Sequence, residues 1–204
     1  IGWCDWSSDV CSSDLIAEIG PEHAAETITQ FLEACRLDGE QKTGDQEAQT
    51  LSRLLARSAL PPTREAALLP FDALLARLTP LPHREYSIAS IPEDGEVHLL
   101  IRQMRRPDGS LGLGAGWLTD YAPLGAAIKL RLRRNSSFHA PADQVPLILI
   151  GNGTGIAGLR ALLKERVVKP QTRNWLVFGE RNADRDFHYR DELEAWRAQG
   201  RLER

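Results

Sequence analysis

Val145-Pro146-Leu147-Ile148-Leu149-Ile150-Gly151-Asn152-Gly153-Thr154-Gly155 is the stretch from which the fold is read. The unbroken apolar run from Val145 to Ile150 has the pattern of a strand covered on both faces, as in a parallel sheet. Its glycines make a tight turn, and Ile156 to about Val167 reads as a helix. Asn174–Phe178 repeats the strand pattern. His188 to about Gln199 repeats the helical one, with Tyr189, Leu193 and Trp196 on one face. Strand, helix, strand, helix opens a doubly wound parallel sheet, expected over residues 143–204. Two strands do not cover a core, so the sheet is expected to continue past Arg204. A helix N-terminus presents unpaired N–H groups and partial positive charge, which suits a pyrophosphate, and glycines let the backbone approach it. The usual dinucleotide fingerprint needs a third glycine where Ile156 stands. Taken alone, the turn also fits a purely structural role.

Working upstream, Ala126–Arg134 alternates, with Ile128, Leu130 and Leu132 on one face and Lys129, Arg131 and Arg133 on the other. That is a half-buried antiparallel strand whose basic face is either solvated or docks an acidic partner. Gly112-Leu113-Gly114-Ala115-Gly116-Trp117-Leu118 leads into a short helix, a second N-terminus for a phosphate or simply a loop. Glu96–Met104 alternates as a strand through Val97, Leu99 and Ile101. In Arg84-Glu85-Tyr86-Ser87-Ile88-Ala89-Ser90 the guanidinium can fork onto a phosphate and the tyrosine ring can lie on a flat heterocycle. Alternation puts Ser87 on the face opposite Arg84 and Tyr86. By itself this segment also fits an ordinary strand.

Residues 21–80 read as an all-helical module. The first helix is expected over 21–37 with Pro21 in its first turn and Cys35 on its apolar face. Asp45 is expected to cap a second helix carrying Leu51, Leu54 and Leu55. A third is expected from Thr63 to about Leu78, split or kinked at Pro70. Asp5–Leu15, DWSSDVCSSDL, has no amphipathic period and matches at every position one reading frame of a common sequencing adapter. Residues 1–15 are therefore expected to be foreign to the protein, whose own start then lies upstream of residue 16.

Composition sets limits. The 204 residues are 42% hydrophobic and 26% charged, with net charge −3 and both signs dispersed, so bulk charge does not favour nucleic acid. No apolar run reaches the ~18–20 residues that span a bilayer. Three cysteines do not make a disulfide framework, and Cys35 is expected to be a buried inert thiol in a reducing cytoplasm. The five histidines show no metal-ligand spacing, and no metal is expected. Ser136, Ser137 and His139 lack the nucleophile-elbow pattern of a hydrolase.

Taken together and in order, these segments resemble the diflavin reductases, which include NADPH–cytochrome P-450 reductase, the nitric oxide synthase reductase domain and the bacterial sulfite-reductase-type flavoproteins. That family has an R-x-Y-S-x-x-S strand, a G-x-x-[ST]-x-x-L turn, a strand ending in G-x-G-T-G, and a strand ending in F-G-x-R followed by aromatic and acidic residues like those of Asp186–Leu193. The resemblance covers about residues 16–204. It implies an α/β protein with an antiparallel FAD-binding barrel of the ferredoxin-reductase type over 16–142, a helical connecting insertion at about 21–80, and a partial NADP-binding sheet over 143–204. It implies that Arg84 contacts the FAD pyrophosphate and Tyr86 packs on the flavin. Ser87 would bond near the hydride-accepting N5 as the catalytic residue, with Ser90 in the same motif. Gly114, Ala115, Gly116 and Trp117 would hold the FAD pyrophosphate. Gly153, Thr154 and Gly155 would hold the nicotinamide nucleotide, with Arg181 and Asp186 nearby. Ala115 stands where a Ser or Thr is usual, Asn152 where Pro is common, and Glu180 where some members have Cys. The implied activity is hydride transfer from NADPH to FAD. Electrons would pass through FMN in an upstream domain to a haem or iron–sulfur acceptor such as the sulfite reductase haemoprotein. Two rivals are a single-flavin ferredoxin–NADP-type reductase and a nucleotide-binding fragment without turnover.

Overall fold

The computed structural model describes residues 15–43, 49–169 and 171–204. In chain order they form β1 (Leu15–Ile19), α1 (Ala25–Cys35), β2 (Lys42–Thr43), β3 (Gln49–Thr50), α2 (Leu51–Ala56), β4 (Ser58–Ala59), α3 (Thr63–Ala66), α4 (Phe71–Arg77), β5 (Thr79–Pro80) and β6 (Arg84–Ser87). Then come α5 (Leu113–Gly116), which runs into a π-turn, β7 (Leu130–Arg134), β8 (Leu147–Asn152), α6 (Ile156–Val168), β9 (Asn174–Gly179), α7 (Ala183–Asp186) and α8 (Arg190–Ala198). Contacts divide the chain into two units. The sheet unit runs to Glu18 and includes Glu85–Arg102 and Arg131–Arg204; the helical unit holds Ile19–Arg84 and Gln103–Leu130.

In the helical unit, α1, α2, α3 and α4 bury Ile28, Phe31, Cys35, Leu51, Leu55, Ala66 and Leu74 against one another. α1 starts at Ala25, not at Pro21. The Gly20 N–H is held by the Lys129 carbonyl at 3.1 Å and the His23 N–H by the Ala56 carbonyl at 2.9 Å, which keeps the lead-in extended. Pro70 does split the third helix and sits at the N-cap of α4. Thr50 caps α2, accepting from the Arg53 N–H; Asp45, the expected cap, lies outside the described residues. Burial raises the Cys35 thiol pKa, as an inert buried thiol requires.

In the sheet unit, β8 and β9 pair in parallel from Leu147↔Asn174 to Asn152↔Gly179. This bears out the strand–helix–strand reading. α6 and α8 cover one face, where Leu149, Ile156, Leu159, Leu162, Leu163, Leu193 and Trp196 form the core. The expectation of burial on both faces is corrected: Ile148 is 62% and Ile150 73% exposed, because the covering helices lie on one side only. A second sheet has the order β6-β1-β7. Among the described residues it is open and three-stranded, without barrel closure. The Glu96–Met104 strand does not form. Only the bridge Ile88↔Leu99 is made, because the Ser90 hydroxyl takes the His98 N–H at 2.9 Å and breaks the ladder. β7 starts at Leu130, and its basic face is not simply solvated: Arg131 Nε and Arg133 Nε each donate to the buried Glu18 carboxylate at 2.7 Å.

Candidate functional site

β8 leaves the sheet at Asn152, and the chain turns through Gly153–Gly155 into α6. Gly153 has φ +55°, a left-handed conformation that a Cβ disfavours. Gly155 has φ −60°, and a Cβ built there would meet nothing within 4 Å, so its face of the turn is open. β9 ends beside it at Gly179, and the parallel pairing brings Asn152 level with Gly179. The open space beyond the carboxyl ends of parallel strands is where α/β sheets bind ligands. Here it is a cleft of about 670 Å³ lined by Arg102, Asn152, Gly153, Thr154, Gly155, Gly179, Glu180 and Arg181. A space of about 420 Å³ that shares Arg102, Thr154, Glu180 and Arg181 with it extends to Asp186 and His188.

Five residues expected from the sequence, Gly153, Thr154, Gly155, Arg181 and Asp186, therefore line one cleft system. A pyrophosphate fits its chemistry: an open glycine turn at the start of a 13-residue helix, with guanidinium groups beside it. Arg102, Asn182 and His188 also line it and were not singled out from the sequence. Arg102 falls in the stretch read as a plain strand, and no spacing marked it. In the sequence Glu180 stands out only as a replacement for a thiol, yet it pairs with Arg102.

The elements behind the cleft are tied by a buried arginine. Arg160, on α6, is 7% exposed; its Nη2 donates to Glu192 of α8 at 2.8 Å and its Nη1 to the Ala89 carbonyl just past β6. The same guanidinium lies over the Tyr189 ring at 4.6 Å, and Tyr189 itself has φ +59°. Burial foremost raises the Tyr189 pKa; Arg160 opposes that and Glu192 adds to it. Lys164, one turn on, pairs with Asp94. Burial alone would raise the Asp94 pKa, but the hydrogen bonds from Lys164 and the Ile91 N–H outweigh it and hold the pKa low. Gly158 permits close packing here, since a Cβ would stand 3.1 Å from the Phe138 ring and 3.5 Å from Ser87 Cβ.

The other expected residues are placed as follows. Arg84, Tyr86 and Ser87 lie on β6, with Arg84 and Tyr86 half-buried and Ser87 exposed, as alternation predicts. Arg84 Nη1 has long contacts of 3.4 Å to the Pro82 and His83 carbonyls. Ser90 is fully buried, its hydroxyl engaged by His98. Gly114, Ala115, Gly116 and Trp117 belong to the helical unit. The Gly116 N–H is committed to the Gly112 carbonyl at 2.6 Å, which leaves Gly114 and Ala115 as the first-turn donors. A Cβ on Gly116 would strike the Tyr121 ring at 2.7 Å, so that glycine is required for packing. Trp117 is 8% exposed, and its Nε1 is a buried donor without a hydrogen-bond acceptor among the described residues.

No helix among the described residues is long and apolar enough to cross a membrane. The family model for the oxidoreductase NAD-binding domain matches residues 149–203, which contain the turn and both cleft-forming strand ends. Over 139 residues the chain is 37% identical to the sulfite reductase [NADPH] flavoprotein alpha-component of Mannheimia succiniciproducens, covering 65% of this chain and 23% of that protein. The corresponding proteins of Yersinia enterocolitica and Vibrio vulnificus are 37% and 38% identical, over 65% and 63% of this chain and 23% and 22% of theirs. The chain thus spans under a quarter of the length of these relatives. The stretch that holds the glycine turn and the paired strand ends is thus similar to an oxidoreductase NAD-binding domain, and about two thirds of the chain is similar to part of these sulfite reductase flavoprotein components.

Proposed function

We propose that this chain is the nucleotide-handling part of a flavoprotein reductase that takes hydride from NADPH to FAD. Electrons then pass through FMN, held in a part of the protein outside this chain, to an acceptor such as the haemoprotein of sulfite reductase or another haem protein. The observation that carries the reading is the cleft at the ends of β8 and β9, built on Gly153–Gly155 and lying inside the match to the oxidoreductase NAD-binding domain. In this reading Gly153, Thr154 and Gly155 bind the pyrophosphate through backbone N–H groups, and Arg181 and Asp186 orient the rest of the dinucleotide. Arg84, Gly114, Ala115 and Gly116 would hold the FAD pyrophosphate, Tyr86 would pack on the flavin, and the exposed Ser87 would bond near its N5. The flavin supplies the hydride-accepting chemistry when bound; the protein positions the partners and excludes water. The antiparallel FAD barrel over 16–142 and the cytoplasmic location belong to the same proposal, the latter in keeping with the free buried Cys35.

The test is flavin content and turnover. Protein purified with FAD should carry the visible flavin band and bleach on adding NADPH. Arg84→Ala and Tyr86→Ala should each lose most of that flavin, and Ser87→Ala should keep flavin but bleach more slowly. Full flavin content in both binding variants would overturn the assignment. Binding of NADPH without any capacity for flavin would favour a nucleotide-binding module without turnover.

A further inference from the structure

The cleft holds a pair of side chains that a dinucleotide turn does not need. Arg102 and Glu180 come from positions 78 apart and pair directly beside the turn. A Cβ on Gly153 would lie 3.3 Å from Arg102 Nη2 and 3.2 Å from Glu180 Oε1, so both charged ends stand against the positive-φ glycine. The Glu180 side chain is 10% exposed and that of Arg102 50%. The carboxylate is thus fixed in the wall while the guanidinium retains access to solvent. The cleft system contains two guanidiniums, Arg102 and Arg181, against two carboxylates, Glu180 and Asp186, with His188 at its far end. A phosphate arriving at the turn meets a cation already engaged by a carboxylate.

We propose that Arg102 is an exchangeable phosphate ligand and Glu180 its tether, so that the pair sets how tightly this cleft holds a pyrophosphate. This rests on the dinucleotide reading above. On binding, the guanidinium exchanges one charge-assisted pair for another of the same kind. The gain is therefore small for Arg102, while Glu180 is left facing the incoming anion at short range. The carboxylate restrains affinity; the guanidinium supports it.

Charge-removing substitutions of similar size separate the two roles. In the full chain, Glu180→Gln frees Arg102 and should tighten binding of NADP+ and of inorganic pyrophosphate by about tenfold, equal to about 1.4 kcal/mol. Arg102→Gln should weaken both by about tenfold, and Arg102→Lys, which keeps the charge but loses the fork, should fall between. Titration calorimetry at low and high salt reads this, with a steeper salt dependence expected for Glu180→Gln than for the unaltered chain. Partial unfolding cannot produce opposite signs in the two variants, so opposite shifts support the proposal. Equal weakening in both would mean that the pair is only a strut, and unchanged affinity would mean that neither residue meets the ligand; each overturns it. Were the unaltered chain to bind neither probe, the dinucleotide reading itself would fall, which is distinct from binding that the variants leave untouched.

Discussion

Two glycines two residues apart in the same turn should respond to the same substitution in opposite ways. Gly153 has φ +55° and Gly155 φ −60°. Alanine at 153 must enter the left-handed region, which costs an L-residue roughly 1–2 kcal/mol. Its methyl would stand 3.2 Å from Glu180 Oε1 and 3.3 Å from Arg102 Nη2, but both are side-chain ends that can yield by a few tenths of an ångström. The strain therefore dominates, and for a chain of this size about 1 kcal/mol corresponds to a fall in Tm of about 2–4 °C. Alanine at 155 meets nothing within 4 Å and needs no change of backbone, so the fold is expected to keep its Tm or gain slightly, by about 0.4–1 kcal/mol, through a less flexible unfolded chain. Both methyls nevertheless stand where a pyrophosphate would approach the backbone, and both variants should weaken NADPH binding by about tenfold or more. Thermal melts followed by tryptophan fluorescence give the first quantity and equilibrium titration with NADPH the second. A Gly155→Ala protein destabilised as much as Gly153→Ala would refute the conformational argument. Unaltered NADPH affinity in both would refute the placement of the ligand.

Asn174 is fully buried; its amide donates to the Gln171 and Arg201 carbonyls at 2.7 and 2.9 Å and accepts from Arg166 Nε at 2.6 Å. Asn174→Ala orphans three groups, one of them charged, and should cost about 3–5 kcal/mol, lowering Tm by about 10 °C; a drop under about 3 °C would count against it. Glu18 has its pKa lowered, first by the hydrogen bond from Arg131 and against the opposing effect of burial, so its contribution to stability is present above the ordinary carboxylate range and lost as pH falls through the lowered value. Glu18→Gln should accordingly melt earlier than the parent at neutral pH, with the gap closing as pH falls through that lowered value; a gap that persists in acid would mean that packing, and not charge, explains it.

Local chemistry was enough to read the nucleotide half of the fold. The apolar run before Gly151, the glycine turn and the Asn174–Phe178 run specify a parallel strand pair, because alternation and length act over a few residues and the helix between them sets the direction. The split at Pro70 was equally local, since the ring forbids the interior helical bond. Tertiary structure decided the rest. Val97, Leu99 and Ile101 alternate like a strand, but a ladder needs a partner along its whole length, and the Ser90 hydroxyl claims the His98 N–H instead. Ile148 and Ile150 read as buried, yet burial depends on what packs opposite, and α6 and α8 cover one face only. Arg131 and Arg133 read as a solvated face because nothing in their spacing reveals that Glu18, over a hundred positions earlier, would receive them. Arg102 and Glu180 carry no motif. Their meeting beside Gly153 is a product of distant segments converging, and only the folded chain pairs this carboxylate and guanidinium at the glycine turn.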